Sequence, residues 1–112
     1  MNNFNDGVIS VYKSNAKLSS FSSKINETSL NDLTFIMNLY FHEENRRQQD
    51  LLFANQMGKT LNLKIKVPYT DKVKSTYKAV YNNYLYDIIY IDFSKDKKEL
   101  YIYLEEVRKI GI

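Results

Sequence analysis

Residues 61–107 alternate apolar and polar side chains over short segments, and this pattern restricts the fold more than any other feature. In the clearest segment, 61–67, aliphatic side chains occupy every second position and Asn or Lys lies between them. A period of two is typical of a strand with one buried and one solvated face. The segment therefore predicts a strand that ends at Pro68, with Lys64 and Lys66 on its solvated face.

Further strands are predicted where short runs of β-branched and aromatic residues are bounded by turn residues. Asn82 and Asn83 can adopt the positive φ that a tight hairpin requires, and residues 94–98 (SKDKK) reverse the chain again. The other predicted strands are residues 8–13, 34–42, 77–81, 84–93 and 99–107.

One helix is predicted in the middle of the chain, over residues 45–57. Asn45 followed by Gln48 resembles a capping box, and Gly58 supplies a stop signal. The first half of this segment is polar, and only the second half, with its apolar residues, is expected to pack on a core. Those apolar residues are Leu51, Leu52, Phe53 and Met57.

Six strands joined mostly by hairpins predict an all-β fold, a small antiparallel β-barrel with one short helix or loop insertion. A barrel is preferred to a sandwich because closure removes the open edges of these apolar strands. The length of 112 residues fits a single domain, 1–112. Its expected parts are a flexible N-terminal arm (1–7), the barrel (8–107) with its insertion (43–59) and a C-terminal tail (108–112); the Ser-rich stretch 14–23 is expected to be a loop.

The composition offers little for catalysis. The chain has no Cys, one His and three Gly, which excludes thiol chemistry, a histidine-rich metal site and a glycine-rich phosphate loop. The adjacent glutamates at 43–44 and 105–106 do not resemble an acid–base pair, since neighbours on a strand point to opposite faces. We therefore expect no enzyme, no catalytic or metal-binding residues and no cofactor. The apolar runs of about five residues also predict no membrane span, because a spanning helix needs about 20.

The last two predicted strands are apolar on both faces. Simple alternation puts Leu85, Ile89, Ile91 and Phe93 on one face of strand 84–93, and Tyr86, Ile88 and Tyr90 on the other. On strand 99–107 it separates Leu100, Ile102 and Leu104 from Tyr101, Tyr103 and Val107. A barrel has one interior, so the Tyr-rich face should lie under the chain's own loop or helix, or contact another subunit. The candidate interface residues are Tyr84, Tyr86, Tyr90, Tyr101 and Tyr103.

Binding of single-stranded nucleic acid by a small barrel of the oligonucleotide-binding type is the main alternative, because such barrels combine basic grooves with aromatic side chains. The candidates are Tyr77, Tyr84, Tyr86, Tyr101 and Tyr103 beside Lys64, Lys66, Lys74 and Lys78. A net charge of +3 is small for such a protein, and no Arg lies between Arg47 and Arg108.

The C-terminal half resembles the head-tail joining proteins of long-tailed bacteriophages, the small head-closure or stopper proteins. The resemblance lies in the succession LNLKIKV, YKAVYNN, YLYDIIYIDF and ELYIYLEEV, and in the Tyr-x-Ile pattern after the turn, matched by Tyr86 and Ile88. The first half is similar in the order and length of its parts.

This resemblance implies a structural virion protein at the head-tail interface, made in the bacterial host cytoplasm. Its protomers would form a ring, expected to be a dodecamer, below the portal and adaptor proteins. The ring would retain packaged double-stranded DNA in its channel and offer a platform for the tail or its terminator protein, with no membrane involved. A tail-completion role is an open alternative.

The resemblance also assigns a role to the insertion, because stopper relatives use a loop in this place to constrict the channel. Here the candidate gate is a polar block that would stay solvated, followed by an apolar anchor. The gate residues are Glu43, Glu44, Arg46, Arg47, Gln48, Gln49 and Asp50. The alternative is an ordinary surface helix that packs Leu51, Leu52 and Phe53.

Overall fold

The computed structural model describes residues 5–14 and 33–110, which form six strands and one helix. The elements are β1 (Gly7–Ser14), β2 (Leu33–Glu44), α1 (Gln48–Gln56), β3 (Leu63–Pro68), β4 (Lys78–Tyr81), β5 (Tyr84–Phe93) and β6 (Glu99–Lys109). Most of the expected N-terminal arm, nearly all of the Ser-rich stretch and the last two residues lie outside the described residues.

The six strands close into an antiparallel barrel with the order β1-β2-β3-β6-β5-β4. The barrel closes where β4 pairs with β1, with Ser10 opposite Val80. Strands consecutive in the chain pair as β1–β2, β2–β3, β4–β5 and β5–β6, and β6 also pairs with β3. The predicted all-β antiparallel barrel is confirmed.

The barrel interior is filled by aliphatic side chains that alternate along the strands. On β3 and β6 the inward positions follow the predicted period of two. Phe41 adds the largest of the fully buried side chains. The other fully buried large side chains are Ile9, Val11, Ile65, Val67, Leu85, Leu100 and Leu104; of these, Leu85 lies in a separate cluster with Leu33 and Ile110.

The predicted turn chemistry is confirmed. Asn82 and Asn83 have φ of 53° and 67° and connect β4 to β5, as a two-residue hairpin with positive φ at both positions requires. Lys97, with φ of 58°, reverses the chain between β5 and β6. Pro68 is the last residue of β3. Proline has no N–H to donate to a neighbouring strand, and at the end of a strand this disturbs the pairing least.

A bulge on β5 changes the faces that simple alternation assigns. Ile88 pairs with Leu104 and Tyr90 pairs with Tyr103, so Ile89 is an extra residue without a partner on β6. The prediction that Tyr86, Ile88 and Tyr90 share one face is therefore wrong for Tyr90. The prediction that Leu85, Ile89, Ile91 and Phe93 share the other face is also wrong. Leu85 and Ile89 belong to two separate outer clusters, while Ile91 packs against the interior. The β6 assignment holds, with Leu100, Ile102 and Leu104 inside and Tyr103 outside.

Candidate functional site

The candidate site is the outer face of the barrel under α1, where most of the predicted gate and interface residues meet. Arg47 is the N-cap residue of α1, and its backbone N–H donates to the Asp50 carboxylate at 3.0 Å. The predicted Asn45–Gln48 capping box is wrong, because the acidic residue that closes the first turn is Asp50. At the other end, Gly58 has φ of 72° and donates to the Asn55 carbonyl, while Lys59 donates to the Ala54 carbonyl. This is a Schellman ending, so the predicted stop at Gly58 is confirmed.

Asp50 is the centre of a buried polar cluster that attaches α1 to two strands. Its side chain is 4% exposed and accepts hydrogen bonds from Lys64 Nζ of β3 at 2.9 Å and from Tyr103 Oη of β6 at 3.1 Å. Arg47 adds two more bonds at 3.2 Å, from Nε and from one terminal nitrogen. Lys64, predicted to be solvated, is only 6% exposed because α1 covers this face of β3.

These contacts keep the Asp50 carboxylate ionised although it is buried. Burial alone would raise the pKa of Asp50, but hydrogen bonds from Arg47 and Lys64 outweigh burial and lower it well below the ordinary value. Burial, together with the hydrogen bond to Asp50, raises the pKa of Tyr103 to about 12. Lys64 Nζ also lies 5.3 Å from the ring centre of Tyr103, within cation–π range. At neutral pH the cluster is an ionised carboxylate held by two cations and a neutral phenol.

An aromatic group lies beside this cluster and completes the contact between α1 and the barrel. Phe53 of α1 packs edge-on against Tyr90, with ring centres 5.0 Å apart, and Tyr90 packs edge-on against Tyr103 at 5.6 Å. Ala54, fully buried, contacts the same cluster as Leu61 and Ile89. The Tyr-rich face of β6 is thus covered by the chain's own helix, one of the alternatives that the sequence left open.

The five candidate interface tyrosines are in different environments. Tyr86 is buried in the barrel core, and Tyr84 packs against that core from the side. Tyr103 is buried under α1, and Tyr101 is partly buried beside it. Tyr90 is the one member of the five with an exposed side chain, so it is the member best placed for a subunit contact.

The candidate gate residues are attached to the barrel. Glu43 and Glu44 are the last residues of β2 and pair with Ile65 and Lys64. Arg46 donates to the carbonyls of Leu61 and Asn62, at 3.3 and 3.2 Å. Gln48, Gln49 and Asp50 form the first turn of α1. Asp50, expected in the solvated half, is buried.

The expected apolar anchor is also different from the observed one. Leu51 and Leu52 are exposed, and the side chains of α1 that are buried are Asp50 and Ala54. The anchor is therefore a charged group with its partners on the barrel, together with one methyl group and the edge of Phe53. A hydrophobicity pattern cannot reveal such an anchor, because it scores Asp50 as a solvated residue.

Among the described residues, two groups of exposed apolar side chains lie on the walls of the barrel. The α1 patch consists of Leu51, Leu52, Phe53, Met57 and Tyr90, with Leu52 51% exposed. The β1–β2 patch consists of Val8 and Tyr40, which face each other across the two strands; Tyr40 is 66% exposed. Phe35, also exposed, lies further along β2, beyond the hydrogen-bonded Ser10–Asn38 pair. Around the barrel, β1 is three strands away from β6, and β2 is three strands away from β5. The two patches therefore lie on opposite sides of the barrel.

The lysines of the nucleic-acid alternative are mostly engaged within the chain. Lys64 binds Asp50, and Lys78 binds Asp87. Lys66 Nζ lies 3.9 Å from Glu44 and 3.8 Å from Glu99. Lys74 is exposed, whereas Tyr86 and Tyr103 are buried and have no ring face to offer a base.

Within residues 5–14 and 33–110, no group of three or more His, Asp or Glu side chains is arranged so that it could hold a metal ion. In the same part of the chain, no helix has the length and apolar character that crossing a bilayer demands. A cavity of about 420 Å³ lies beside the Asp50 cluster. It is lined by Glu44, Asn45, Arg47, Lys64, Asp92, Tyr101 and Tyr103.

Fold and site together define a six-stranded antiparallel barrel with an external helix anchored by a buried carboxylate. No protein-family model and no curated protein matches this chain.

Proposed function

We propose that this chain is a structural head-closure protein of a tailed bacteriophage, which assembles as a ring under the portal and adaptor proteins. The phage assignment rests on the resemblance over residues 61–107, which contribute β3 to β6 of the barrel. The ring assignment rests on one observation, the two exposed apolar patches on opposite sides of that barrel.

Opposite patches suit a ring because a head-to-tail contact joins two different surfaces of the same protein. Repetition of such a contact closes into a ring when the rotation between neighbours allows it. In this arrangement the α1 patch of one protomer contacts the β1–β2 patch of the next. Tyr40, Phe53 and Tyr90 supply large contact areas with few rotatable bonds, as interface aromatic residues do.

The ring would bind the portal and adaptor on one side and the tail or its terminator on the other, with packaged double-stranded DNA in its channel. Residues 43–50 would contribute a fixed part of the ring and not a mobile gate. Their withdrawal would require the Asp50 cluster to separate, breaking the bonds of Asp50 to Lys64 and Tyr103.

Deletion of the gene from the phage genome tests the proposal. Electron microscopy should then show DNA-filled heads that lose their DNA or fail to acquire tails, beside complete free tails. A plasmid copy of the gene should restore normal particles, which controls for effects on neighbouring genes. Normal tailed virions without the protein would overturn the proposal, and incomplete free tails would indicate the tail-completion role instead.

A further inference from the structure

One end of the barrel combines exposed lysines with exposed aromatic rings. Two segments meet there, residues 69–77 between β3 and β4 and residues 94–98 between β5 and β6. The Tyr69 backbone N–H donates to the Lys98 carbonyl at 2.9 Å, which joins the two segments. We call this surface the lysine end; it includes Phe93, the last residue of β5, at its edge.

The lysine end carries the charge excess of the whole chain. Its two segments hold five lysines against two aspartates, an excess of three, and the chain as a whole has a net charge of +3. The five lysines are exposed and, among the described residues, make no ion pair; they are Lys72, Lys74, Lys95, Lys97 and Lys98. One of the aspartates, Asp96, is occupied by the turn itself, because it accepts hydrogen bonds from Ser94 Oγ and the Lys98 N–H.

Two aromatic rings lie at the same end. Tyr69 is 44% exposed and Phe93 54% exposed, with ring centres 6.0 Å apart and planes inclined at 38°. They border a cavity of about 450 Å³ whose other walls include Val73, Ile91 and Leu100. Both rings are therefore partly exposed next to a depression of the size of a small ligand.

We propose that the lysine end binds single-stranded nucleic acid, with bases stacked on Phe93 and Tyr69 and backbone phosphates held by the lysines. The polyanion matches the uncompensated positive charge, and unpaired bases match exposed ring faces in a way that a duplex, whose bases are stacked internally, does not. Binding at this end requires no ring assembly, so the inference does not depend on the head-closure proposal. Of the nucleic-acid candidates named from the sequence, Tyr77 and Lys74 lie at the lysine end, and Lys74 is the one proposed to bind here.

Binding of a fluorescein-labelled 15-nucleotide oligo-dT to the full chain tests the proposal by fluorescence anisotropy at several salt concentrations. Wild-type protein should bind, with affinity that falls linearly on a logarithmic salt scale. Phe93→Leu and Tyr69→Leu keep apolar surface but remove the ring, so each should weaken binding by about fivefold or more at every salt concentration. Replacing Lys72, Lys74 and Lys95 by Ala should instead flatten the salt dependence, by about 0.7 in slope for each phosphate that is no longer neutralised.

Matched controls lie elsewhere on the surface. Lys59→Ala and Lys109→Ala remove exposed lysines outside the lysine end, and Leu52→Ala removes exposed apolar surface; all three should bind as wild type does. Oligo-rU of the same length distinguishes RNA from DNA as the source of the single strand. Absence of binding at 50 mM salt, equal binding of a 15-base-pair duplex, or wild-type binding by both leucine variants would each overturn the proposal.

Discussion

A single carboxylate links the helix of this protein to its barrel. Asp50 accepts hydrogen bonds from its own helix cap and from two strands, although Lys64 and Tyr103 are 14 and 53 positions away in the sequence. Because a buried ion costs several kcal/mol to remove from water, its partners determine whether it stabilises or destabilises the fold. Stability should therefore depend on the ionisation of this residue.

Acid should destabilise the protein through Asp50. Burial acts to raise its pKa, but hydrogen bonds from Arg47 and Lys64 outweigh burial and lower the pKa in the folded state from the ordinary value of 3.8. Below about pH 5 the unfolded chain therefore takes up a proton at this residue more readily than the folded one, and stability falls as pH falls. In urea unfolding between pH 7 and pH 2, the contribution of Asp50 to the free energy of unfolding should stay constant down to about pH 5 and decrease below it.

Asp50→Asn isolates the contribution of this residue, because the amide has the same size and no charge. At pH 7 the variant should lose about 3 kcal/mol of unfolding free energy, since Lys64 is left buried without its anion. The difference from wild type should shrink as pH falls. Asp71→Asn, at an exposed position, is the control and should have the same free energy of unfolding as wild type. Parallel pH profiles for wild type and Asp50→Asn would contradict the assignment.

At the scale of elements, turns and helix ends depend on residues with positive φ. Gly58 ends α1 at φ of 72°, and a Cβ built there meets no atom within 4 Å. Any cost of a side chain at this position is thus conformational and not steric.

Gly58→Ala should destabilise the protein by about 1 kcal/mol, the cost of a left-handed conformation for a residue with a side chain. Gly58→Asn should cost less, because Asn adopts this conformation more easily. Thermal unfolding followed by circular dichroism measures both. Equal melting temperatures for Gly58→Ala and wild type would show that the helix ends without this geometry.

The same elements show how much the sequence could reveal. The bounds of β5 agree with those predicted, and the Asn82–Asn83 turn follows from local chemistry alone. The bulge at Ile89 could not be predicted, since an extra residue leaves no trace in a strand that is apolar at nearly every position. The Asp50 anchor could not be predicted for a different reason, because a long-range pair of charged residues looks locally like two solvated ones.

At the scale of the whole molecule, the two apolar patches determine how copies would assemble. In a head-to-tail ring each patch is used once per protomer, so loss of either patch should prevent closure. Leu52 and Tyr40 are exposed in the single chain and lie outside the Asp50 cluster, so substitutions at these two positions should leave its stability within about 0.5 kcal/mol.

Leu52→Lys and Tyr40→Lys should each abolish ring formation, measured by native mass spectrometry and analytical ultracentrifugation. A mixture of the two variants should form heterodimers and stop there, because each variant keeps one intact patch. Thr76→Lys, in an exposed loop outside both patches, is the control and should assemble as wild type does. Self-association of Tyr40→Lys to wild-type size would show that the α1 patch contacts itself and would contradict the head-to-tail arrangement.

The closure of the barrel also sets an order of events during synthesis. Ser10 of β1 pairs with Val80 of β4, 70 positions later. At a translation rate of about 5–20 residues per second the ribosome needs roughly 4–14 s to make that much chain. Throughout this interval one edge of β1 has no strand to bind, although β2 is already available on its other side. Closure of the barrel is thus a late, long-range step, and it should limit the folding rate, as in other proteins dominated by distant contacts.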